Sequence, residues 1–253
     1  MTADAVLFDL DDTLVTYERS GQEVLECAFD AVGVEAFFEA SEYYDRYELF
    51  FEESDSIAHL RELVFADIAE EKGFDPDLGI AVAEAYEAER DHTRVYLLPG
   101  VEALLEALGD RPLGLVTNGD PAMQRPKLAA TGLTNRFDSI VYAGHDAPAK
   151  PAPEPFFMAL DQLAIEPEAA TFVGNDPRSD VDGAYGAGLS TVWLRNGNEE
   201  YPDTTPDYTV DSILELLDSD FLDSDLPDSE TLETDILETR QNESDRLEPN
   251  HPE

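Results

Sequence analysis

Five short apolar runs separated by long helical patterns constrain the fold of this chain more than any other feature. The runs are Val6–Phe8, Leu113–Val116, Ser139–Tyr142, Thr171–Val173 and Thr191–Leu194. Runs this short suit strands buried on both faces of a parallel sheet. Between the later runs lie helical patterns at Val101–Leu108, Ala122–Ala130, Glu154–Leu163 and Asp180–Ala187. Alternating strands and helices predict a doubly wound parallel α/β sheet. Tyr208–Val210 is expected to add an edge strand and Ile213–Leu217 a closing helix.

One interval breaks the alternation. From Val15 to Leu98 there is only helical periodicity. Val24, Leu25, Ala28 and Val32 share one face; Ile57, Leu60, Leu63, Val64 and Ile68 share a second; Ala81, Ala85 and Ala88 share a third. This interval is too long for a crossover, so residues 15–98 are expected to form an inserted helical domain that ends at Pro99-Gly100. The α/β core is then residues 1–14 and 99–218. From Ser219 the chain turns polar and acidic, which predicts a disordered tail over 219–253. One short helix through Leu232, Ile236 and Leu237 is the exception expected there.

Charge narrows the partners. The chain has 58 acidic and 15 basic residues, formally −43. An acidic tail does not account for this, because residues 1–218 still carry −33. A surface of this kind repels nucleic acid and anionic membranes, which select for Lys/Arg patches. It matches the proteins of a salt-loving archaeon, since at molar salt the Debye length is only ~3 Å and self-repulsion is screened. No apolar run approaches the ~20 residues of a membrane span. The N-terminus has no basic stretch ahead of an apolar one, so no signal peptide is read and a cytoplasmic location is expected. The single cysteine, Cys27, excludes an internal disulfide and reads as a small core residue rather than a nucleophile.

In open parallel sheets, ligands bind outside the carboxyl ends of the strands. Those ends carry Asp9-Leu10-Asp11-Asp12-Thr13, then Thr117-Asn118-Gly119, then Lys150-Pro151, then Gly174-Asn175-Asp176 with Asp180 following. Each has an ordinary reading when taken alone. Asp-x-Asp is commonly a solvated loop or a helix cap. Asn-Gly favours a turn. A lysine before a helix is usually a surface residue. A calcium loop is excluded, because Leu14 replaces its turn glycine and Ser20 its final glutamate. Two facts count against the ordinary readings. The chain has only three lysines, Lys72, Lys127 and Lys150, and the four clusters occur in order, each after a strand.

Four segments carry a family resemblance: Phe8–Leu14, Val116–Gly119, Lys150-Pro151 with Glu154-Pro155-Phe156, and Val173–Asp176 through Asp180. They resemble the four motifs of the haloacid-dehalogenase superfamily, over residues 5 to about 217, and the insertion resembles that family's helical cap. The resemblance implies a Mg²⁺-dependent phosphatase. Asp9 would attack phosphorus and form an aspartyl-phosphate. Asp11 would protonate the leaving oxygen and then deprotonate water. Thr117 and the backbone near Asn118 would bind the phosphoryl oxygens, and Lys150 would add positive charge. Mg²⁺ would take a carboxylate oxygen of Asp9, the carbonyl of Asp11 and a side chain from the fourth motif. In the family's commonest pattern an aspartate follows the glycine. Here Asn175 stands there and Asp176 comes next, so either is a candidate ligand, with Asp180 orienting the ligands.

Other activities on this scaffold are a 2-haloacid dehalogenase, a phosphonate hydrolase, a phosphosugar mutase and a non-catalytic binding protein. Asp11 argues for phosphate, since a halide leaves without a proton. A phosphonate hydrolase would use a Schiff-base lysine from the cap. The insertion's only lysine is Lys72, which reads as a helix C-terminal charge. His145 reads as a loop residue near Lys150. Arg19, Tyr43, Tyr44, Tyr47 and Phe51 are candidates for substrate contact, although aromatics at helical spacing more often form core. The expected partner is a small phosphorylated metabolite, with the protein a monomer or homodimer.

Overall fold

The computed structural model describes residues 4–54, 56–197, 200–219 and 221, without the side chains of 48, 51 and 52. The expected disordered tail and its short helix lie outside the described residues, Ser219 and Phe221 excepted. Among the described residues, no helix is long and apolar enough to cross a membrane.

In chain order the elements begin with β1 (Ala5–Phe8), β2 (Val15–Tyr17), α1 (Gly21–Val32), α2 (Ala40–Arg46), α3 (Ile57–Glu71), α4 (Pro76–Glu89) and β3 (Val95–Leu97). There follow α5 (Val101–Ala107), β4 (Leu113–Asn118), α6 (Pro121–Ala130), β5 (Ser139–Ala143), α7 (Glu154–Leu163) and β6 (Ala170–Gly174). A π-turn at Pro177–Asp182 leads into α8 (Gly183–Gly186), then β7 (Ser190–Leu194), β8 (Tyr208–Val210) and α9 (Ile213–Leu217). The chain divides into two compact units, one of residues 1–16 with 95–253 and the other of residues 17–94.

The first unit is built on a six-stranded sheet of order β5-β4-β1-β6-β7-β8, and every ladder is parallel. Alternation along β1 explains its two covered faces. Val6 and Phe8 pack with Val101, Leu104 and Leu115, whereas Ala5 and Leu7 pack with Phe156, Leu160 and Phe172. From β1 the chain winds to β4 and β5 on one side, then returns to β6 and β7 on the other. The order therefore reverses beside β1, where a doubly wound sheet opens a crevice for ligands.

Two strands fall inside the interval expected to be helical throughout. β2 and β3 pair as a two-stranded ribbon where the chain leaves the first unit and returns to it. Each is three residues long, below the length at which periodicity registers, and only the Val-Thr-Tyr and Val-Tyr-Leu composition hints at them. The helix expected at Asp180–Ala187 also begins differently. It is entered by the π-turn from Pro177, capped by Asp176, and its α-helical part is a single turn.

The second unit is helical. Ser20 and Glu23 close a capping box on α1, and Gly33 ends it at φ 81°. Leu25, Phe29, Phe38, Tyr43, Leu60, Val64, Phe65, Ile68, Val82 and Tyr86 form its core. The buried stripe of α4 is Gly79, Val82, Ala83 and Tyr86, not the expected Ala81, Ala85 and Ala88. Alanine there serves helix propensity, while the larger apolar side chains claim the interior. Cys27 is partly exposed, its sulfur 3.7 Å from Arg19 Nη1, rather than a core residue.

Gly79 sets how closely α3 and α4 approach. A Cβ there would stand 2.2 Å from the Phe65 carbonyl oxygen and 2.6 Å from its carbon, backbone atoms that cannot turn aside. Gly79→Ala is therefore expected to cost about 2–3 kcal/mol, since overpacking outweighs alanine's helix propensity. That corresponds to a melting point lower by about 5–10 °C. Thermal denaturation checks this, and an unchanged or raised melting point contradicts it.

Candidate active site

The side chains at the carboxyl ends of the strands meet around two buried lysines. β1 runs into Asp9, whose N–H continues the ladder to Val173 O at 3.0 Å. The chain then turns tightly. The N–H groups of both Leu14 and Val15 donate to Leu10 O, and Asp12 takes the left-handed φ of 55° that aspartate tolerates. Thr13 is buried and donates to Asn175 Oδ1 at 3.0 Å, which ties this turn to the end of β6.

Lys150 is the first lysine. Its Nζ donates to Asp9 Oδ1 at 2.8 Å, Asp180 Oδ1 at 2.6 Å and Val116 O at 2.8 Å. An ammonium has three N–H bonds, so all are assigned. Asn118 holds the lysine's backbone from both sides: Asn118 Nδ2 donates to Lys150 O at 3.1 Å, and Lys150 N donates to Asn118 Oδ1 at 2.9 Å. Asn118 thus fixes Lys150 with its side chain, which is spent on that task. Asp180 accepts from the N–H groups of Asn175 and Asp176 at 3.1 and 3.0 Å. Its close approach explains Gly174, where a Cβ would stand 2.5 Å from the Asp180 carboxylate.

Lys127 is the second lysine, buried on α6. Its Nζ lies 2.8 Å from both carboxylate oxygens of Asp11. One turn earlier, Gln124 Nε2 reaches Asp11 Oδ2 at 3.0 Å, Thr117 Oγ1 at 2.9 Å and Asn118 O at 2.9 Å.

The charges are strained by burial. Burial pushes the Asp9 carboxyl up to about 7; Lys150 pulls against this, while Asp180 and Asp11 add like charge. Asp180 is raised by burial as well, against Lys150. Burial also raises Asp12, helped by Asp11. Burial would lower Lys150, but the carboxylates of Asp180 and Asp9 outweigh it and leave the ammonium firmly protonated.

Asp9, Asp11, Thr117, Asn118, Lys150, Asn175 and Asp180 are thus linked directly or through one residue. Asp176 stands apart in function. Its Oδ1 accepts from Arg178 N at 3.0 Å and Ser179 N at 2.6 Å, capping the π-turn. His145 is an exposed loop residue 3.6 Å from Asp120 and is not drawn into the cluster. The remaining candidates lie in the second unit. Arg19 pairs with Glu89, Tyr43 is buried in that unit's core, Tyr44 is exposed and Tyr47 is partly buried. Lys72 sits at the C-terminus of α3 and pairs with Glu42 at 2.6 Å. The side chain of Phe51 lies outside the described set.

Lys127, Gln124 and Thr13 escaped the sequence reading. The scarcity of lysine that singled out Lys150 applies equally to Lys127. Gln124 carries no such signal, because only the fold brings α6 against Asp11.

The arrangement lies at the switch point of a doubly wound sheet. Residues 3–188 match the haloacid dehalogenase-like hydrolase family, and the chain belongs to that family. It is 34% identical over 242 residues to a phosphoserine phosphatase of Thermus thermophilus, covering 83% of this chain and 96% of the relative. It is 32% identical over 227 residues to a glyceraldehyde 3-phosphate phosphatase of Methanopyrus kandleri, covering 85% and 95%. Its fold matches the magnesium-bound putative hydrolase YfnB of Bacillus subtilis with a TM-score of 0.71, at 23% identity and over 86% and 98% of the two chains.

Proposed function

We propose that the protein is a Mg²⁺-dependent phosphatase that hydrolyses small phosphate monoesters through an aspartyl-phosphate on Asp9. The observation that carries this reading is the separate anchoring of two neighbouring carboxylates. Asp9 is held by Lys150 through Oδ1 alone, which leaves Oδ2 without a protein donor among the described residues. Asp11, two residues on, is held by a different cation. Two carboxylates in different environments can take different roles. Asp9 Oδ2 attacks phosphorus and the ester oxygen departs with a proton from Asp11. The Asp11 carboxylate then takes a proton from the water that attacks phosphorus, and Asp9 is regenerated. Asp11 also weighs against a dehalogenase, whose halide leaves unprotonated. The phosphatase names of the two sequence relatives support the same choice.

The residues present fit a hard divalent cation. Three carboxylates, those of Asp9, Asp11 and Asp180, pair with the two ammoniums of Lys127 and Lys150, which leaves a negative charge for a cation to meet. Among the described residues no three His, Cys, Asp or Glu side chains are grouped to hold a metal. Mg²⁺ needs no such group, because it keeps several waters and takes one or two carboxylates. Asp9, the Asp11 carbonyl and Asn175 Oδ1 would hold it, and it would supply charge neutralisation at the phosphoryl group. Asn175 is preferred to Asp176, because the single hydrogen bond from Thr13 orients Asn175 Oδ1 and leaves it a second lone pair, whereas Asp176 Oδ1 already takes two N–H groups as the cap of its own turn. Asn175→Ala is therefore expected to weaken Mg²⁺ activation by about 10–100-fold, and Asp176→Ala by much less. A titration of activity against Mg²⁺ decides between them, and the reverse order overturns the assignment.

The acidic surface supports an origin in a high-salt cytoplasm, so the activity test belongs in molar KCl. Wild type is expected to release phosphate from monoesters only with Mg²⁺, and Asp9→Asn to release none. Halide release from a 2-haloacid without metal would replace this reading with the alternative.

A further inference from the structure

We propose that Lys127 and Gln124 are positioning residues that hold the Asp11 side chain beside the reacting ester, with the Lys127 ammonium resupplying the proton that Asp11 gives to the leaving oxygen. The inference rests on the phosphatase reading above and deepens it.

The tight turn after β1 fixes the backbone of Asp11 but not its side chain, which is 28% exposed. A carboxylate free to rotate would spend much of its time away from the ester oxygen, and displacement by an ångström is enough to cost a large rate factor. Lys127 removes that freedom. Its side chain is 1% exposed, and its Nζ is equidistant from the two oxygens of Asp11. The stem rises from α6, which is anchored at its start by Asp120 capping Ala122 N and by Pro121 in the first turn. Gln124, three residues earlier on the same helical face, ties Asp11 to Thr117 and to the end of β4.

Burying an ammonium is costly, and this chain has only two lysines besides Lys127. Here the buried charge has Asp11 as its counter-ion, while Lys150 is committed to Asp9 and Asp180. The two acidic groups of the reaction therefore do not compete for one cation. Gln124 shares its two amide N–H bonds among Asp11, Thr117 and the Asn118 carbonyl, which couples the held carboxylate to the end of β4.

Leaving-group dependence tests this. Phenyl and 4-nitrophenyl phosphate are nearly equal in shape, but phenoxide needs a proton to leave, whereas nitrophenoxide departs readily without one. With Mg²⁺ in molar KCl, Lys127→Met is expected to lower kcat/KM for phenyl phosphate by about 10²-fold, the scale of a lost general acid. For 4-nitrophenyl phosphate the loss should stay below about fivefold, because little of that barrier depends on proton transfer. Lys127→Arg keeps a buried cation, and with it the fold. It should bring phenyl phosphate back to within about tenfold of wild type, since guanidinium pairs well with carboxylate. Equal losses on both esters, in either variant, would assign Lys127 a purely structural role and overturn the proposal, as would no loss on either. If wild type hydrolyses neither ester, the phosphatase reading itself has failed.

Discussion

Lys150→Met should be the most destabilising single change at the site, with an expected loss of about 3–5 kcal/mol. The lysine is buried and holds two buried carboxylates, Asp9 and Asp180. Methionine matches its length and apolar stem, so packing is largely kept and the loss is electrostatic. Two anions remain beneath the protein surface with no cation between them. The melting point is expected to fall by about 6–20 °C for a chain of this size. The sign of the pH dependence follows from the carboxylates. Burial raises both Asp9 and Asp180 above their unfolded values, and removing Lys150 raises them further. A carboxyl raised in the folded state adds stability while protonated and loses it as pH rises through the folded pKa. The deficit should therefore be large at pH 8 and shrink towards pH 5, measured by thermal denaturation of both proteins in molar KCl with EDTA. A deficit independent of pH would show that Lys150 acts through packing alone.

Asp9→Asn separates stability from activity in the opposite sense. The amide has almost the carboxylate's shape and carries no charge, and Asp180 still pairs with Lys150. The variant should melt within a few degrees of wild type. Its phosphate release should fall by about 10⁴–10⁶-fold, the scale seen when a covalent nucleophile is removed. Together the two variants distinguish a group that holds the site from a group that reacts.

Five strands of the sheet were legible because each is a short apolar run largely buried on both faces, whereas β8, with Thr209 exposed, was legible from its place after them. β8 and α7 even coincide with their expected limits. β2 and β3 are no shorter than β8, but they flank a long interval of helical periodicity and lack the strand–helix alternation that places β8. The alanines of α4 misled for a different reason: alanine is chosen for the helix as often as for the core. Within the site, Asp9, Lys150 and Asp180 could be picked out from their places after strands. The structure places Asp9 and Asp180 within hydrogen-bond reach of Lys150. What no spacing could reveal is partnership across the fold. Lys127 lies 116 residues from Asp11, and Thr13 lies 162 from Asn175. Likewise, nothing in Gly-Asn-Asp says which side chain is spent on capping. Only the π-turn's two N–H groups, pointing at Asp176, decide that.

Reductive trapping shows whether Asp9 carries the phosphoryl group. Borohydride converts an aspartyl-phosphate to homoserine and leaves a free aspartate untouched. Wild type quenched during turnover should show homoserine at position 9 by peptide mass spectrometry, and enzyme without substrate should show none. Turnover of a phosphate ester with Asp9 unmodified, or with the modification on another residue, would rule out Asp9 as the nucleophile.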